Sequence, residues 1–339
     1  MKQVDLFYLS PNPYGGWVTY TCHLIEALEA VGVKCNLFKI RPRTEKFTRK
    51  FGYDKLYRNI SMEVALSRKY EKLIVAGAKQ FKEQTLKLYK EGDASIVVHD
   101  PTELKNLPNP LDSSRCVVIR KIGIEVLKKA TGKEPTFIRH PYSFMEHTGE
   151  SRFNMERTNT TGNKAISTSR IDFDKRTDIL LDANRLLPEG SKINIRGFEN
   201  RIYTRFKIVP KYPEWEQSKA HYPREKNYAV ELMKGYTFNV DMTHIVGDGG
   251  GTQYTWLEAW NAGCIPIIHE SWLLDKPDDM IPGYNCLTVN SPENLAEVLK
   301  TVQPYDIIEI MRLNGFKSLE QHSEYIIGQK YFEFLFERV

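Results

Sequence analysis

Arg170 and Lys175 stand five residues apart in Ser169–Lys175, SRIDFDK. The segment ends an apolar run, KAISTSRI, that reads as a strand. A guanidinium fork and a point-charge ammonium converging from strand end and loop suit the oxygens of a diphosphate; the alternative is solvated surface charge. Asp172 and Asp174 between them spell DxD, a pattern that often holds a metal-bound sugar nucleotide. Two carboxylates at that spacing also arise by chance, and no metal site is assigned.

A second constellation is Gly247–Glu270, GDGGGTQYTWLEAWNAGCIPIIHE. Its glycines lead into an expected helix, Thr252–Ala262, with Trp256, Leu257, Ala259 and Trp260 as packing residues. Glu258 lies among them, where a carboxylate is costly unless it meets a hydrogen-bond donor. The adjacent hydroxyls of a ribose are such donors, and the Gly249–Thr252 backbone would offer amides to a phosphate at the helix start. The alternative pairs Glu258 with a local Lys or Arg and leaves the glycines as a flexible loop.

Three further sites complete the set. Ser10–Gly16, SPNPYGG, links the first strand to a helix starting near Trp17. Gly15 and Gly16 let the backbone approach a phosphate or sugar, or simply make a βα turn. GxGxxG is absent, which argues against a dinucleotide site. His99-Asp100 ends the buried run SIVV just before Pro101, a position where Asp commonly caps the next turn. Lys39–Arg58, KIRPRTEKFTRKFGYDKLYR, carries eight Lys/Arg against Glu45 and Asp54, interleaved with Phe47, Phe51, Tyr53 and Tyr57. Arg41, Arg43, Lys46, Arg49 and Lys50 in this run are candidate phosphate contacts, as are Arg201, Arg205 and Lys207 further on. The alternative is a solvated charged face.

The elements that must position these residues alternate. VDLFYLS, KCNLFKI, KLIVAGA, SIVVHD and CVVIRK read as strands, and Val18–Val31 as a helix closed by Gly32. A polar stretch at 141–163 marks a boundary. A second series follows: KAISTSRI, a helix over Thr177–Leu187, KINIRGF, a helix over Ala229–Gly235, YTFNVDM and CIPIIHE. The tail Asp306–Val339 reads as two or three helices. This alternation predicts α/β domains with doubly wound parallel sheets, whose ligands bind at the C-terminal ends of strands.

Composition sets the outer limits. The 339 residues are 41% hydrophobic and 27% charged, with a formal net charge of +5. That is ordinary for a globular chain of about two domains and permits a polyanionic partner without requiring one. No run reaches the roughly 18 apolar residues of a membrane span. The N-terminus is too polar for a signal peptide, so a cytoplasmic protein without membrane attachment is expected. Five widely spaced cysteines, none in CxxC, are expected to be reduced and mostly buried rather than disulfide-bonded or zinc-binding.

LEAWNAGCIPII resembles the E-A-x-x-x-G-x-P-(V/I)-(I/V) signature of retaining GT-B glycosyltransferases, whose Glu binds the donor ribose. That class clamps its diphosphate with an Arg and a Lys five apart, matched here by Arg170 and Lys175. Further segments resemble the DNA α-glucosyltransferases of T-even bacteriophages: Gly15–Thr19, KFTR (46–49), VVHD (97–100), SRIDFDK, RGFEN (196–200), Met233–Asp241 and YTWLEAWNAGCIPI (254–267). The resemblance implies a GT-B fold, two Rossmann-like domains facing across a cleft. The first, 1–150, takes the acceptor; the second, 151–320, takes the nucleotide sugar; and a helix in 321–339 packs back on the first.

It also implies a UDP-sugar donor, glucose above all, with no cofactor and no metal in the chemistry. The acceptor is then a 5-hydroxymethylpyrimidine in double-stranded DNA, and the protein a monomer. Gly15, Gly16, Trp17, Gly251, Thr252, Gln253, Tyr254 and Glu258 join Arg170 and Lys175 at the donor. His99 positions the acceptor or contacts the sugar, and Asp100 assists the acceptor hydroxyl as a base. One departure stands out. The class carries an acidic residue eight positions before the ribose-binding Glu, where this chain has Gly250, so that contact with the sugar is not carried over. Two other readings remain: a glycosyltransferase building a polysaccharide or lipid-linked glycan, and a sugar- or DNA-binding protein without catalysis.

Overall fold

The computed structural model describes residues 1–11, 15–107, 111–143, 163–215, 221, 225–244, 251–273, 279–301 and 304–337. They form two compact units. One comprises Met1–Ser143, Gly247–Gly251 and Gln321–Val339, the other Phe144–Val246 and Thr252–Glu320.

In the first unit the order is β1 (Gln3–Leu9), α1 (Gly16–Ala30), β2 (Lys34–Ile40), β3 (Thr48–Gly52), β4 (Lys55–Ile60), α2 (Met62–Ser67), β5 (Glu71–Gly77), α3 (Lys82–Glu91), β6 (Ser95–Val98), β7 (Cys116–Val118), α4 (Lys121–Thr131) and β8 (Thr136–Phe137). The strands make one sheet in the order β3-β4-β2-β1-β5-β6-β7-β8. Every pair is parallel except β3 with β4. Leu6, Phe7, Tyr8 and Leu9 are all buried, so β1 is covered on both faces, which is why it reads as an unbroken apolar run. The chain winds from β1 to β2 on one side and then to β5 on the other. β1 and β5 therefore flank the switch point where such sheets bind ligands.

The basic run of 39–58 takes in the end of β2, the connection 41–47 and most of a β-hairpin, β3–β4, that extends this sheet. Its turn sits on Tyr53 and Asp54, with φ of 45° and 62°, the two-residue geometry whose twist matches the flanking strands. Lys39 fastens the hairpin down. Its buried ammonium lies 5.0 Å from the ring of Tyr8, 5.6 Å from Phe51 and 4.7 Å from Tyr57. Burial, with the nearby Arg41 charge, lowers its pKa.

The second unit runs β9 (Ala165–Ser167), α5 (Thr177–Leu186), β10 (Asn194–Ile195), α6 (Arg201–Tyr203), α7 (Tyr228–Met233), β11 (Phe238–Asp241), α8 (Tyr254–Asn261), β12 (Ile265–His269), β13 (Leu287–Val289), α9 (Pro292–Lys300) and α10 (Tyr305–Glu320). Its sheet, β10-β9-β11-β12-β13, is wholly parallel. Its core joins Ile179, Leu180, Phe238, Val240, Ile265 and Ile267 to Leu295 and Leu299 of α9. The switch point here lies between β9 and β11. The expected strand KINIRGF pairs over Asn194–Ile195 only, because the RGFEN segment bends onto the SRIDFDK loop. Ile171 donates to the Phe198 carbonyl at 2.9 Å, Asn200 donates back to Ile171 at 2.9 Å, and a Cβ on Gly197 would lie 2.0 Å from the Ser169 carbonyl.

The last helix, α11 (Glu324–Phe336), belongs to the first unit and lies along α1. Gly328 permits the approach, since a Cβ there would stand 2.0 Å from the Ala27 carbonyl. The hydroxyls of Tyr20 and Tyr331 are hydrogen-bonded across the contact. All five cysteines are free thiols, and four are buried. No described helix is long and apolar enough to cross a membrane.

Candidate active site

A polar cluster of the second unit sits at the C-terminal ends of β9 and β11. Asp241, the last residue of β11, is fully buried. It accepts hydrogen bonds from Ser169 Oγ at 2.9 Å, the Thr243 amide at 2.9 Å, Thr255 Oγ1 at 3.0 Å and the Thr243 hydroxyl. Burial pushes its pKa up, but the Lys175 charge and these bonds outweigh burial and hold the carboxyl below the usual range. Lys175 donates to Thr243 Oγ1 at 2.8 Å and to Gln253 Oε1 at 2.6 Å. An ammonium has three donors, so one remains for a ligand.

Arg170 has different partners. Its exposed guanidinium bonds Asp172 Oδ2 at 2.8 Å and Asp174 Oδ2 at 3.1 Å. The DxD pair is thus a local counter-ion for Arg170, and Asp172 also binds Asn200 Nδ2 at 2.8 Å. Among the described residues no group of three or more His, Cys, Asp or Glu side chains is placed to hold a metal.

Glu258 projects from α8, itself part-buried, amid buried Trp256, Leu257, Ala259 and Trp260. Among the described residues its carboxylate has no hydrogen-bond or ionic partner, so the local Lys or Arg of the alternative reading is not seen. Burial alone pushes its pKa up to about 8. Thr252 and Gln253 precede α8. The Thr252 hydroxyl is committed to Asp279 at 2.6 Å, which leaves its backbone for a ligand. Gln253 keeps a buried, unpartnered Nε2 beside the bond it accepts from Lys175. Tyr254 opens α8 and is half-buried. Gly251 has φ of 95° and groups with the first unit. Gly247, Gly249 and Gly250 lie outside the described residues.

Sequence reasoning also missed a histidine pair beside Lys175. The rings of His244 and His269 lie 3.9 Å apart. Arg176, which follows Lys175 with φ of 46°, donates to His244 Nδ1 at 3.3 Å and pairs with Asp178 at 3.0 Å. A guanidinium only donates, so His244 carries its proton on Nε2, which is buried without a partner. Burial, His269 and Arg176 all lower the His244 pKa, which keeps the ring neutral.

In the first unit, His99 and Asp100 follow β6. His99 is buried, and its Nε2 donates to the Val75 carbonyl at 2.8 Å, leaving Nδ1 as an acceptor. Burial lowers its pKa to about 4. The rings of Trp17 and Tyr20 lie 5.7 Å and 4.7 Å from it. Asp100 is a cap: its Oδ1 accepts the Thr102 amide at 2.8 Å and the Thr102 hydroxyl, as the turn reading has it. Glu103, unremarked in the sequence, is buried with Oε2 accepting the His99 amide at 2.9 Å. Burial, then the Asp100 charge, raises its pKa to about 8. Gly15 caps α1 with φ of 94°, and open space surrounds Gly15 and Gly16 where side chains would be.

The cationic candidates are on the surface. Arg41, Arg43, Lys46 and Lys50 are exposed and form no ion pair or side-chain hydrogen bond among the described residues. Arg49 is exposed but spoken for, with Glu45 at 2.9 Å and the Phe47 ring at 4.8 Å. Arg201, Arg205 and Lys207 are exposed on α6 and the turn after it.

No family model matches the chain, and no curated protein does. Solved structures match over its whole length. Alr3699/HepE of Anabaena, in complex with UDP and glucose, is 13% identical with a TM-score of 0.66, covering 100% of both chains. The lipopolysaccharide outer core galactosyltransferase WaaB is 12% identical with a TM-score of 0.62, covering 99% of this chain and 100% of its own. An alpha-glucosyltransferase in complex with UDP and a 13-mer DNA containing an HMU base is 13% identical with a TM-score of 0.68, covering 98% of this chain and 100% of its own. At such identities the likeness speaks for the fold, and the fold of this chain is that of the GT-B glycosyltransferases.

Proposed function

We propose that the chain is a retaining glycosyltransferase that moves a sugar, glucose in the fullest form of the reading, from a UDP-sugar to a 5-hydroxymethylpyrimidine base in DNA. The observation that carries the donor half is Glu258, a desolvated carboxylate without a partner, close in sequence to Gln253, which accepts from Lys175. A ribose diol supplies the donors it lacks. The free donor of Lys175 and the fork of Arg170 then serve the diphosphate. Arg170 must exchange its two carboxylates for phosphate oxygens, a cheap exchange because exposed ion pairs are worth about 0–1 kcal/mol.

In the step itself the bond from the anomeric carbon to the diphosphate oxygen breaks. A bond from that carbon to the acceptor oxygen forms on the same face, and the leaving phosphate takes the hydroxyl proton. Arg170 and Lys175 stabilise the charge that builds on the diphosphate. In the first unit, Gly15 and Gly16 let the backbone come near the donor, with Trp17 beside them. His99 Nδ1, neutral and fixed by Val75, accepts from a sugar or acceptor hydroxyl. Asp100 has one oxygen in its cap and Oδ2 for the acceptor.

DNA as acceptor draws support from the cations Arg41, Arg43 and Lys46 in the β2–β3 connection and Lys50 on β3, which form no ion pair among the described residues, and from the DNA carried by one structural neighbour. A glycan acceptor draws on another neighbour, a lipopolysaccharide galactosyltransferase. The test is incubation with radiolabelled UDP-sugars and DNA containing 5-hydroxymethylcytosine, 5-hydroxymethyluracil or neither. Label on hydroxymethylated DNA alone, abolished by Arg170→Ala, is the expected result; label on no DNA overturns the acceptor, and near-normal turnover by the variant overturns the clamp.

A further inference from the structure

After α6 the chain makes a turn of π-helix, Thr204–Ile208. Such turns are rare and occur often at functional sites. This one is firmly built. Asn200 caps α6, from which the turn continues, accepting the amides of Ile202 at 3.0 Å and Tyr203 at 3.3 Å, while Tyr203, Thr204 and Ile208 are buried. Its outer surface inverts the usual rule: Ile202 is 63% exposed and Phe206 65%. Arg201, Arg205 and Lys207 surround them and form no ion pair or side-chain hydrogen bond among the described residues. Arg205 lies over the Phe206 ring at 5.5 Å. The patch adjoins the diphosphate loop through Phe173, which meets the Tyr203 ring at 4.9 Å.

A partner for this patch must be anionic and must offer apolar surface between its charges. Two large side chains are too few to hold a bilayer, where lasting attachment takes two independent signals. Duplex DNA has both properties, with phosphates outside and stacked bases within. A base inside a duplex is reached only by extruding it, and apolar side chains commonly enter the stack when this happens.

We propose that Phe206, with Ile202 beside it, is a wedge that fills the place of the extruded base while Arg201, Arg205 and Lys207 hold the flanking phosphates. This rests on DNA being the acceptor. Asn200 and the buried underside keep the wedge rigid, so little ordering is required at binding. Phe206 works by offsetting the cost of unpairing, and it matters most where the target base is paired.

The test compares Phe206→Ala with the parent on two short duplexes carrying 5-hydroxymethyluracil, one fully matched and one with an abasic site opposite the target. Binding is read by anisotropy, and extrusion by 2-aminopurine fluorescence next to the target. The exposed position lets the variant fold, which an unchanged thermal melt confirms. The expected result is a loss of about tenfold to a hundredfold on the matched duplex, largely restored on the abasic one, with Phe206→Leu in between. Arg205→Ala should lower the salt dependence of log K by about 0.9 on both duplexes. Equal loss by Phe206→Ala on both duplexes, or no loss on either, overturns the wedge while leaving DNA as the acceptor. Failure of the parent to bind either duplex, with binding to phosphatidylglycerol vesicles instead, overturns the acceptor reading and the wedge with it.

Discussion

Replacing Glu258 by Gln should stabilise the unliganded protein and weaken nucleotide binding, two effects of opposite sign from one site. The carboxyl is desolvated without a partner, which raises its pKa from the ordinary 4.5 to about 8. At pH 7 it is ionised in the unfolded chain and must take up a proton on folding, at a cost of about 3 kcal/mol. Gln fills the same volume and has no proton to gain. The variant's advantage is therefore absent below pH 4.5, where Glu258 is neutral in both states. It grows as the pH rises from 4.5 to 8 and levels off above that. Thermal melts of both proteins across this range measure it. Nucleotide affinity should fall by up to about tenfold: hydrogen bonds to the ionised carboxylate are worth about 1.5–3 kcal/mol, and releasing its proton at pH 7 takes back about 1.4 kcal/mol of that. Calorimetry with UDP and 2′-deoxy-UDP should find that the parent discriminates between the two far more than the variant. A Glu258→Gln variant that is no more stable than the parent at pH 7, with a gap that ignores pH, would refute the assignment of a strained, waiting carboxylate.

The remaining predictions concern what holds the site together. Asp241→Asn should cost about 3–5 kcal/mol, because it removes the buried charge that faces Lys175. Since the Asp241 pKa is depressed, that difference holds above the ordinary carboxylate value of 3.8 and fades as the pH falls below it; denaturant melts showing equal stability at pH 7 contradict this. Gly328→Ala forces a Cβ to within 2.0 Å of the Ala27 carbonyl and should destabilise by about 1–3 kcal/mol. Gly190→Ala, in open space, is the neutral control, and matching melts for the two variants sink the close-approach argument. Charge reversal at Arg49 and Lys50 should weaken DNA binding and spare UDP affinity, with Lys50 the larger effect because Arg49 is already paired with Glu45. Equal loss of both affinities means that the hairpin has been misplaced.

The fold was legible because buried parallel strands such as Leu6–Leu9 and Ile265–Ile268 are short unbroken apolar runs, whatever they pair with. Glu258 stood out because a carboxylate inside an apolar helix demands a partner, whereas Lys175 stood out only through its spacing from Arg170. The hairpin of 48–60 was not. Its turn is Tyr53-Asp54 rather than a glycine turn, and its anchor is a lysine among rings that only the folded sheet brings together. Asp241 falls within the expected strand YTFNVDM, and nothing local says that Ser169, Thr243, Thr255 and Lys175 converge on it. Glu103 drew no notice in the sequence, and the Trp17 hydrogen bond and Arg120 charge that act on it come from distant parts of the chain. The approach of His244 to His269, tilted at 46°, likewise depends on β11 and β12 lying side by side.

The central claim meets its most direct test in a single competition. The protein is given labelled UDP-glucose together with hydroxymethylated duplex DNA and a lipid-linked glycan extract, and the DNA is then digested to nucleosides for mass analysis. A hexosyl adduct on the hydroxymethylpyrimidine nucleoside is the expected result. Unmodified nucleosides with label in the glycan fraction would contradict it.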